Sequence, residues 1–180
     1  MFSRSLPLRA QNAPAMKIFY LVRHAKSSWD NPTIRDFDRP LNDRGFQAAK
    51  DMSHLFAKNN ATPELLVSSP AKRAFTTATY FSDAMGINET EIVKNENIYE
   101  ASSEALIHII QATSEAVSSV IFFGHNPAFT EVSNYFSSRY IDNVPTCGIF
   151  CFRSEAATWA KVSPDNTVLT DYHLPKRNLQ

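Results

Sequence analysis

The amino-acid sequence predicts an α/β protein, with a three-layer α/β/α sandwich around a mainly parallel central sheet. Short apolar runs rich in β-branched and aromatic residues alternate with segments in which apolar residues recur at helical spacing. This alternation is typical of parallel strands joined by helices that cover both faces of the sheet. Ligands of such folds bind just beyond the carboxyl ends of the strands, so the residues that follow each strand are the first candidates for function.

The strands are predicted from apolar runs that are too short for helices of ordinary length. They cover residues 18–22, 65–68, 91–94 and 120–123, and a terminal pair covers residues 148–152 and 158–162. A polar loop, residues 25–42, separates the first strand from the first helix.

The helices are predicted from apolar spacing together with start signals. They cover residues 43–58, 69–86 and 102–114, and a fourth begins at residue 126. Asn42 is a suitable N-cap for the first helix. The second and fourth helices are predicted to begin at a cap residue followed by proline, Ser69-Pro70 and Asn126-Pro127. The apolar face of the first helix is predicted to comprise Phe46, Ala49, Met52, Leu55 and Phe56.

Length and charge limit the number of domains and the class of partner. The 180 residues suit a single domain, which we assign to residues 16–180. Because 18 Lys and Arg balance 18 Asp and Glu and no basic tract is present, the sequence predicts neither a nucleic-acid partner nor a membrane partner. No apolar stretch approaches the length of a membrane span.

Two features of the sequence bear on the cellular compartment. Residues 1–15 contain arginine, serine and proline but no acidic residue and no sustained apolar run, so a secretory signal is not predicted. This segment is interpreted as an extended start before Met16 or as a short organellar presequence, and we expect it to be mobile. Cys147 and Cys151 are predicted to be free thiols, which fits the cytoplasm, with an organelle as the alternative.

Arginine and histidine side chains lie beyond three of the predicted strands. Arg23-His24 ends the first strand, Arg73 lies in the first turn of the second helix, and His125 follows the fourth strand directly before a helix. Helix N-termini and guanidinium groups both favour an anion such as phosphate. One imidazole can attack phosphorus through its neutral nitrogen, and a second, if protonated, can stabilise the charge that builds on the oxygens. The sequence therefore predicts a phosphate cradle that contains two imidazoles.

Each of these residues taken singly has an ordinary structural explanation. A histidine at a strand end is usually a satisfied turn or core residue, and an arginine at a helix start is usually solvated. Three such coincidences at three strand ends favour a functional site instead. His54, His108 and His173 lack this context, and we assign them no role.

Four blocks of sequence carry a resemblance to a known family. They are LVRHAKSSW at 21–29, DRPLN at 38–42 with Gly45, SSP at 68–70 with Arg73, Ala74 and Thr77, and GHNP at 124–127. In this order they resemble the histidine phosphatase, or phosphoglycerate-mutase-like, superfamily. Within it, the sequence is most similar to the small SixA-type phosphohistidine phosphatases. The resemblance covers nearly all of residues 16–176 and implies the phosphoglycerate-mutase-like fold.

The resemblance implies a role for each residue of the cradle. His24 would be the nucleophile and would form a phosphohistidine intermediate that water then hydrolyses. Arg23 and Arg73 would clamp the phosphoryl oxygens, and His125 would stabilise the transition state. Neither a metal ion nor a cofactor is implied. The residues expected to contact the substrate are Arg23, Ser28, Asp30, Arg73, His125 and Asn126.

The general acid is where the sequence matches the family least closely. Mutases and acid phosphatases of the superfamily place an acidic residue just after the third strand, where this sequence has Glu100. Glu100 is therefore a candidate acid, and an equally good interpretation is a solvated glutamate near a helix start. Asp38 is a weaker candidate, and we expect it to be structural, paired within the turn Asp38-Arg39-Pro40.

Two arguments bear on the substrate. An alkyl phosphate ester needs its leaving oxygen protonated, a step worth about 10²–10⁴-fold, whereas phosphohistidine carries its own basic nitrogen. Larger relatives insert capping segments between the third and fourth strands, and this sequence has little there beyond one helix, so the pocket should be open. The leading hypothesis is a phosphatase that acts on phosphohistidine, or on another phosphorylated side chain, of a protein. The alternatives are a small-molecule phosphomonoesterase for a sugar or metabolite phosphate, with Glu100 as acid, and a phosphate-binding interaction module without turnover.

Overall fold

The computed structural model describes residues 16–176, and the predicted leader, residues 1–15, lies outside the described residues. The strands of this part are β1 Lys17–Arg23, β2 Leu65–Ser68, β3 Val93–Lys94, β4 Ser119–Gly124, β5 Ile149–Ser154 and β6 Thr167–His173. The α-helices are α1 Asp43–Asn59, α2 Lys72–Ala84, α3 Ser103–Gln111 and α4 Ala128–Tyr135. Short 3-10 turns at Asp36–Asp38, Glu89–Glu91 and Glu96–Ile98 connect some of these elements.

The strands form one sheet in the order β3-β2-β4-β1-β5-β6. The first four strands of that order run parallel, β5 pairs antiparallel with β1, and β6 pairs antiparallel with β5 at the edge. The predicted mainly parallel sheet is therefore confirmed. β3 is shorter than predicted, because residues 89–91 form a 3-10 turn instead of extended chain.

Helices cover both faces of the sheet. Successive residues of β1 face opposite layers: Phe19 and Leu21 pack in the core cluster that contains α3 and α4, and Tyr20 and Val22 pack in the cluster that contains α1 and α2. The predicted three-layer sandwich is therefore confirmed. Within residues 16–176, no helix is long and apolar enough to cross a membrane.

The first helix begins as predicted, but its apolar face is narrower. The side chain of Asn42 accepts a hydrogen bond from the backbone N–H of Gly45 at 2.9 Å, which confirms it as the N-cap. Phe46 and Leu55 stay 39% and 36% exposed. The buried residues of α1 are Gly45, Ala49, Met52, Ser53 and Phe56.

The predicted starts of two helices are wrong. α2 begins at Lys72 with Ala71 at the N-cap, and α4 begins at Ala128 with Pro127 at the N-cap. The side chain of Asn126 contacts another segment, and the hydroxyl of Ser69 contacts another segment in addition to accepting from the backbone N–H of Ala71 at 3.3 Å; the longer-range contacts are described below.

The second strand of the predicted terminal pair lies in a different segment. Residues 158–162 contain a 3-10 turn, and the strand that pairs with β5 is β6. Trp159 is fully buried, and its indole N–H donates to the carbonyl of Val117 at 2.9 Å, so this segment fills the core instead of extending the sheet. Most side chains of β6 are exposed, and its apolar pattern in the sequence is correspondingly weak.

Both cysteines are free thiols, as predicted, and both are buried. Burial raises the pKa of each thiol to about 12. Cys147 precedes β5, and its backbone is in the left-handed region with φ at 61°.

We predict that Gly124→Ala destabilises the protein, because the end of β4 has no room for a side chain. An added Cβ would lie 2.6 Å from the ring of Phe129 and 2.7 Å from Cγ2 of Ile98, both fully buried. Overpacking of this kind costs about 1–3 kcal/mol of unfolding free energy, measured by urea denaturation. Val168→Ala on the exposed face of β6 is the control, with an expected change within about 0.5 kcal/mol. Equal stability of Gly124→Ala and wild type would contradict the packing argument.

Candidate active site

The register between β1 and β4 brings two histidines together. Arg23 of β1 lies opposite Gly124 of β4, so His24 and His125 each follow their strand at the same level. The backbone N–H of His24 donates to the carbonyl of Gly124 at 2.9 Å, and the two imidazole rings lie 5.1 Å apart between centroids. Both side chains are nearly buried, at 8% and 9% exposure.

Arg73 reaches the same edge of the sheet from the first turn of α2. β2 pairs with β4 on the side opposite β1, which places the β2–α2 connection next to His125. Thr77 links this helix to the segment after β1, because its hydroxyl accepts from the N–H of Ala25 at 2.9 Å and donates to the carbonyl of Arg73 at 2.7 Å. Arg73 itself is 7% exposed.

The contacts of His24 determine which of its nitrogens is available. Nδ1 lies 2.7 Å from the carbonyl oxygen of Ala25, which can only accept, so Nδ1 carries the proton in this bond. The pKa of His24 is lowered to about 4, mainly by burial; the bond to Ala25 acts against this shift, and the positive charges of Arg73 and Arg23 add to it. At neutral pH the ring is therefore uncharged, and Nε2 carries a free lone pair.

His125 is also neutral, whereas the sequence analysis considered a protonated second imidazole. Burial lowers its pKa to about 3, with the proximity of His24 and Arg73 acting in the same direction. Its Nε2 lies 2.8 Å from the hydroxyl of Ser69, and Nδ1 has no partner among residues 16–176. If Ser69 donates to Nε2, the neutral ring presents an Nδ1–H donor that can bind a phosphoryl oxygen.

Arg23 is anchored by the segment before β5. Its Nη1 donates to the carbonyl of Val144 at 2.9 Å, and its buried Nε has no partner among the described residues. Burial and the nearby Arg73 lower the pKa of Arg23. Two like charges that lie this close attract an anion between or beside them.

Asp36, to which we assigned no role in the sequence analysis, is the carboxylate that holds this cluster. Nη1 of Arg73 donates to its backbone carbonyl at 2.6 Å, and Nη2 donates to its Oδ2 at 2.9 Å. Arg39 donates to Oδ1 at 2.9 Å, and the hydroxyl of Tyr99 donates to Oδ2 at 3.0 Å. The sequence indicates only that a buried arginine needs some acceptor, and it does not indicate which residue provides it.

Arg39 connects the cluster to the loop above the site. Its Nε donates to the carbonyl of Ser28 at 3.0 Å, and its guanidinium lies 3.2 Å from the centroid of the Trp29 ring, which is 76% exposed. Ser28 and Asp30 are bonded to each other, with 2.7 Å between Oγ and Oδ2. Neither of these two side chains is bonded to a histidine or arginine of the cluster within residues 16–176, so their predicted contact with the substrate stays a prediction.

Within residues 16–176, no hydrogen bond or ion pair joins Glu100 to this cluster, and its role as the acid stays a prediction. Its side chain is exposed and lines a groove of about 720 Å³ beside α3, together with His108 and Ile109. The backbone of Glu100 is in the left-handed region, with φ at 57°. The preceding residue, Tyr99, is the one that reaches the site, with its ring 5.6 Å from that of His125.

Asn126 and Asp38 are both held by neighbouring residues. Nδ2 of Asn126 donates to Oδ1 of Asn143 at 2.8 Å, and its buried Oδ1 has no partner within the described residues. A contact of Asn126 with the substrate therefore stays a prediction. Asp38 pairs with Arg35 at 2.7 Å, which is structural, as expected, but with a different partner.

The arrangement resembles an anion cradle more than a metal site. Within residues 16–176, no group of three His, Cys, Asp or Glu side chains is placed to hold a metal ion. The cluster instead offers two guanidinium groups and unpaired ring nitrogens on two neutral imidazoles. Such a set can bind a tetrahedral oxyanion and attack its central atom.

We predict that the protein loses stability as the pH falls from 6.5 to 5. Imidazoles of the unfolded chain bind protons near pH 6.5, whereas those of His24 and His125 bind them only near pH 4 and 3 in the folded state. Each histidine then lowers the unfolding free energy, with a slope approaching about 1.4 kcal/mol per pH unit. Urea denaturation at pH 7, 6 and 5 measures how steeply the unfolding free energy depends on pH. Because His125→Gln removes one of the two histidines, it should remove about half of the dependence that they cause together. An unchanged slope in His125→Gln would show that His125 is not buried in neutral form.

Comparison with known proteins identifies a family. Residues 19–114 match the model of the histidine phosphatase superfamily, branch 1. A solved structure from Agrobacterium tumefaciens, described as a candidate SixA phosphohistidine phosphatase, is 31% identical in sequence. Its TM-score is 0.74, and the match covers 88% of this chain and 98% of that chain.

Two further proteins are similar over most of their length. A SixA protein histidine phosphatase solved with tungstate shares the fold, with a TM-score of 0.71, 18% identity, and coverage of 86% of this chain and 95% of that chain. An uncharacterised chloroplastic protein of Arabidopsis thaliana is 28% identical over 168 residues, which cover 85% of this chain and 77% of that protein. The family match spans more than half of this chain. The Agrobacterium structure, which matches over 98% of its own length, supports the same family. The chain therefore belongs to the histidine phosphatase superfamily and is a phosphatase.

Proposed function

We propose that this protein hydrolyses phosphohistidine side chains of other proteins, through a phosphohistidine intermediate on Nε2 of His24 and without a metal ion. The observation that carries the proposal is the state of His24. Its Nδ1 is bonded to the carbonyl of Ala25, and its pKa of about 4 keeps the ring neutral. The remaining nitrogen is a nucleophile beside two arginines.

In the first step, Nε2 of His24 attacks phosphorus on the side opposite the leaving nitrogen. The P–N bond to the substrate breaks as the P–Nε2 bond forms, and the leaving imidazole takes up a proton from water. Arg23 and Arg73 bind the phosphoryl oxygens as they gain charge, and Nδ1–H of His125 adds a third donor.

In the second step, a water molecule attacks the phosphoryl group on His24. The P–Nε2 bond breaks, the water releases a proton to solvent, and inorganic phosphate leaves. The neutral imidazole is restored, and its bond to Ala25 keeps the same nitrogen facing the cradle.

Support for a phosphoramidate substrate comes from the ionisation of the nearby carboxyl group. The hydrogen bonds from Arg39 and Arg73 outweigh the effect of burial and lower the pKa of Asp36 to about 2. Asp36 is therefore ionised at neutral pH and cannot donate a proton to an ester oxygen. A leaving imidazole nitrogen is basic and depends less on an enzyme acid.

Support for a protein substrate comes from the exposed rim of the site. Trp29 is 76% exposed, and the side chain of Asp36 is 49% exposed. Between β3 and β4, the described chain has α3 and a short 3-10 turn but no further helix. A phosphorylated side chain that projects from a folded protein has room to approach such a rim. The similarity to a candidate phosphohistidine phosphatase points the same way.

We predict that His24→Ala abolishes both turnover and the phosphorylated enzyme. Loss of the nucleophile should lower kcat by about 10³-fold or more. The phosphoenzyme is measured by alkaline quench and intact-mass spectrometry, and turnover by release of inorganic phosphate. His54→Ala on the exposed side of α1 is the matched control and should behave as wild type. Near-wild-type turnover by His24→Ala would refute the mechanism.

We predict that the enzyme prefers a phosphohistidine peptide to p-nitrophenyl phosphate. We also expect Glu100→Gln to hydrolyse the phosphohistidine peptide at a rate within about twofold of wild type, because the leaving imidazole does not need an enzyme acid. Loss of a true general acid would lower the rate by about 10²–10⁴-fold. Steady-state kcat/KM, measured for both substrates with wild type and Glu100→Gln, distinguishes these outcomes. Preference for the ester together with a steep loss in Glu100→Gln would instead identify a small-molecule phosphomonoesterase that uses Glu100 as its acid.

A further inference from the structure

Asp36 joins segments of the site that are far apart in the sequence. It lies in the 3-10 turn Asp36–Asp38 of the loop between β1 and α1. Its two donors outside this loop are Arg73, 37 residues away, and Tyr99, 63 residues away. The same carboxylate therefore ties the start of α2 to the segment that precedes α3.

The two bonds between Arg73 and Asp36 restrain the guanidinium group in position and in orientation. Nη1 binds the backbone carbonyl at 2.6 Å and Nη2 binds the carboxylate at 2.9 Å, so adjacent nitrogens of one plane are both held. A two-point contact defines the plane of a guanidinium group, which a single bond does not.

Arg73 needs such a partner because its surroundings are unfavourable for a positive charge. It lies in the first turn of α2, where the helix dipole is positive, and it is close enough to Arg23 for their charges to interact. Its side chain is only 8% exposed, so water cannot supply the missing stabilisation. The carboxylate of Asp36 offsets these costs through its ion pair with Arg73 at 2.9 Å.

The bond to Tyr99 extends the restraint to the other side of the cradle. Tyr99 donates to Oδ2 of Asp36 at 3.0 Å, and its ring packs edge-on against His125 with 5.6 Å between centroids. Phe37, the residue after Asp36, packs edge-on against the same Tyr99 ring at 5.1 Å. Tyr99, which is packed between Phe37 and His125, therefore restrains the carboxylate of Asp36 that holds Arg73.

We infer that Asp36 is the positioning residue of the phosphate clamp: it holds the guanidinium of Arg73 in the orientation that binds the phosphoryl group, and Tyr99 supports it. This inference rests on the proposed function for the identity of the transferred group. Asp36 acts through Arg73 and makes no bond to the reacting atoms. Its carboxylate stays charged throughout the reaction.

The experiment compares Asp36→Asn with Asp38→Asn in the full chain. Asp38 is the matched control, because it lies in the same turn and its carboxylate pairs with Arg35 and with no other side chain among residues 16–176. Misplacement of the clamp should lower kcat of Asp36→Asn by about 10–100-fold with a smaller change in KM. Asp38→Asn should keep wild-type values. Asp36→Glu, which retains the charge, should recover part of the lost kcat.

A double-mutant cycle tests whether Asp36 acts through Arg73. In an Arg73→Ala background, Asp36→Asn should cause no further loss of kcat, because the group that it positions is absent. Full additivity of the two substitutions, or equal activity of Asp36→Asn and Asp38→Asn, would overturn the inference. If Asp36→Asn does not fold, as judged by its thermal unfolding, Tyr99→Phe replaces it in the same cycle with the same criteria.

Tungstate binding separates this inference from the proposed function. Tungstate is a tetrahedral oxyanion that stands in for the phosphoryl group, and its affinity is measured by calorimetric titration without turnover. Asp36→Asn should bind tungstate about 10-fold more weakly than wild type, while Asp38→Asn binds it equally well. If wild type forms no phosphoenzyme, the proposed function fails, and the tungstate comparison still decides the role of Asp36. Equal tungstate affinity in Asp36→Asn and wild type would overturn the inference even where the phosphoenzyme forms.

Discussion

The parallel register between β1 and β4 is the constraint on which the site depends. Because Arg23 lies opposite Gly124, the residues that follow these strands leave the sheet side by side. A shift of one residue would turn His24 to the opposite face of the sheet. The apolar residues on both strands oppose such a shift, since Val22 and Phe123 are fully buried in one layer and Leu21 and Phe122 in the other. Core packing thus determines the distance between two imidazoles that themselves contribute little to the core.

The second requirement is electrostatic, because the same burial that orders the imidazoles keeps them uncharged. A protonated His24 could not attack phosphorus, and its lowered pKa avoids that state at neutral pH. The neighbouring arginines contribute to the lowered pKa, and in the proposed function the same two charges also bind the phosphoryl group. Asp36 balances part of this positive charge through its ion pairs with Arg39 and Arg73, and its side chain is half exposed. The chain as a whole has a formal net charge of zero, so its attraction for an anion is local.

The sequence predicted best what depends on neighbours along the chain. The strands around residues 18–22, 65–68 and 120–123 are continuous apolar runs, and the four cradle residues follow strand ends. Prediction failed where a side chain is used over a long distance: Ser69 and Asn126 look like helix caps, but they bind His125 and Asn143. Asp36 resembles any loop aspartate until the fold brings Arg73 and Tyr99 to it. β6 has few buried side chains, so its strand pattern is faint, whereas the apolar segment around Trp159 resembles a strand and forms a turn.

The stacking of Trp29 on Arg39 gives the protein a natural optical reporter. The chain has two tryptophans, and Trp159 is fully buried on the α3 and α4 side of the sheet. Trp29 is largely exposed, and its ring faces the guanidinium that binds Asp36. Any rearrangement of the Asp36 contacts therefore changes the surroundings of one indole while the other provides a constant background. The intrinsic emission of the unlabelled protein thus reports on the loop that borders the cradle, without an added dye.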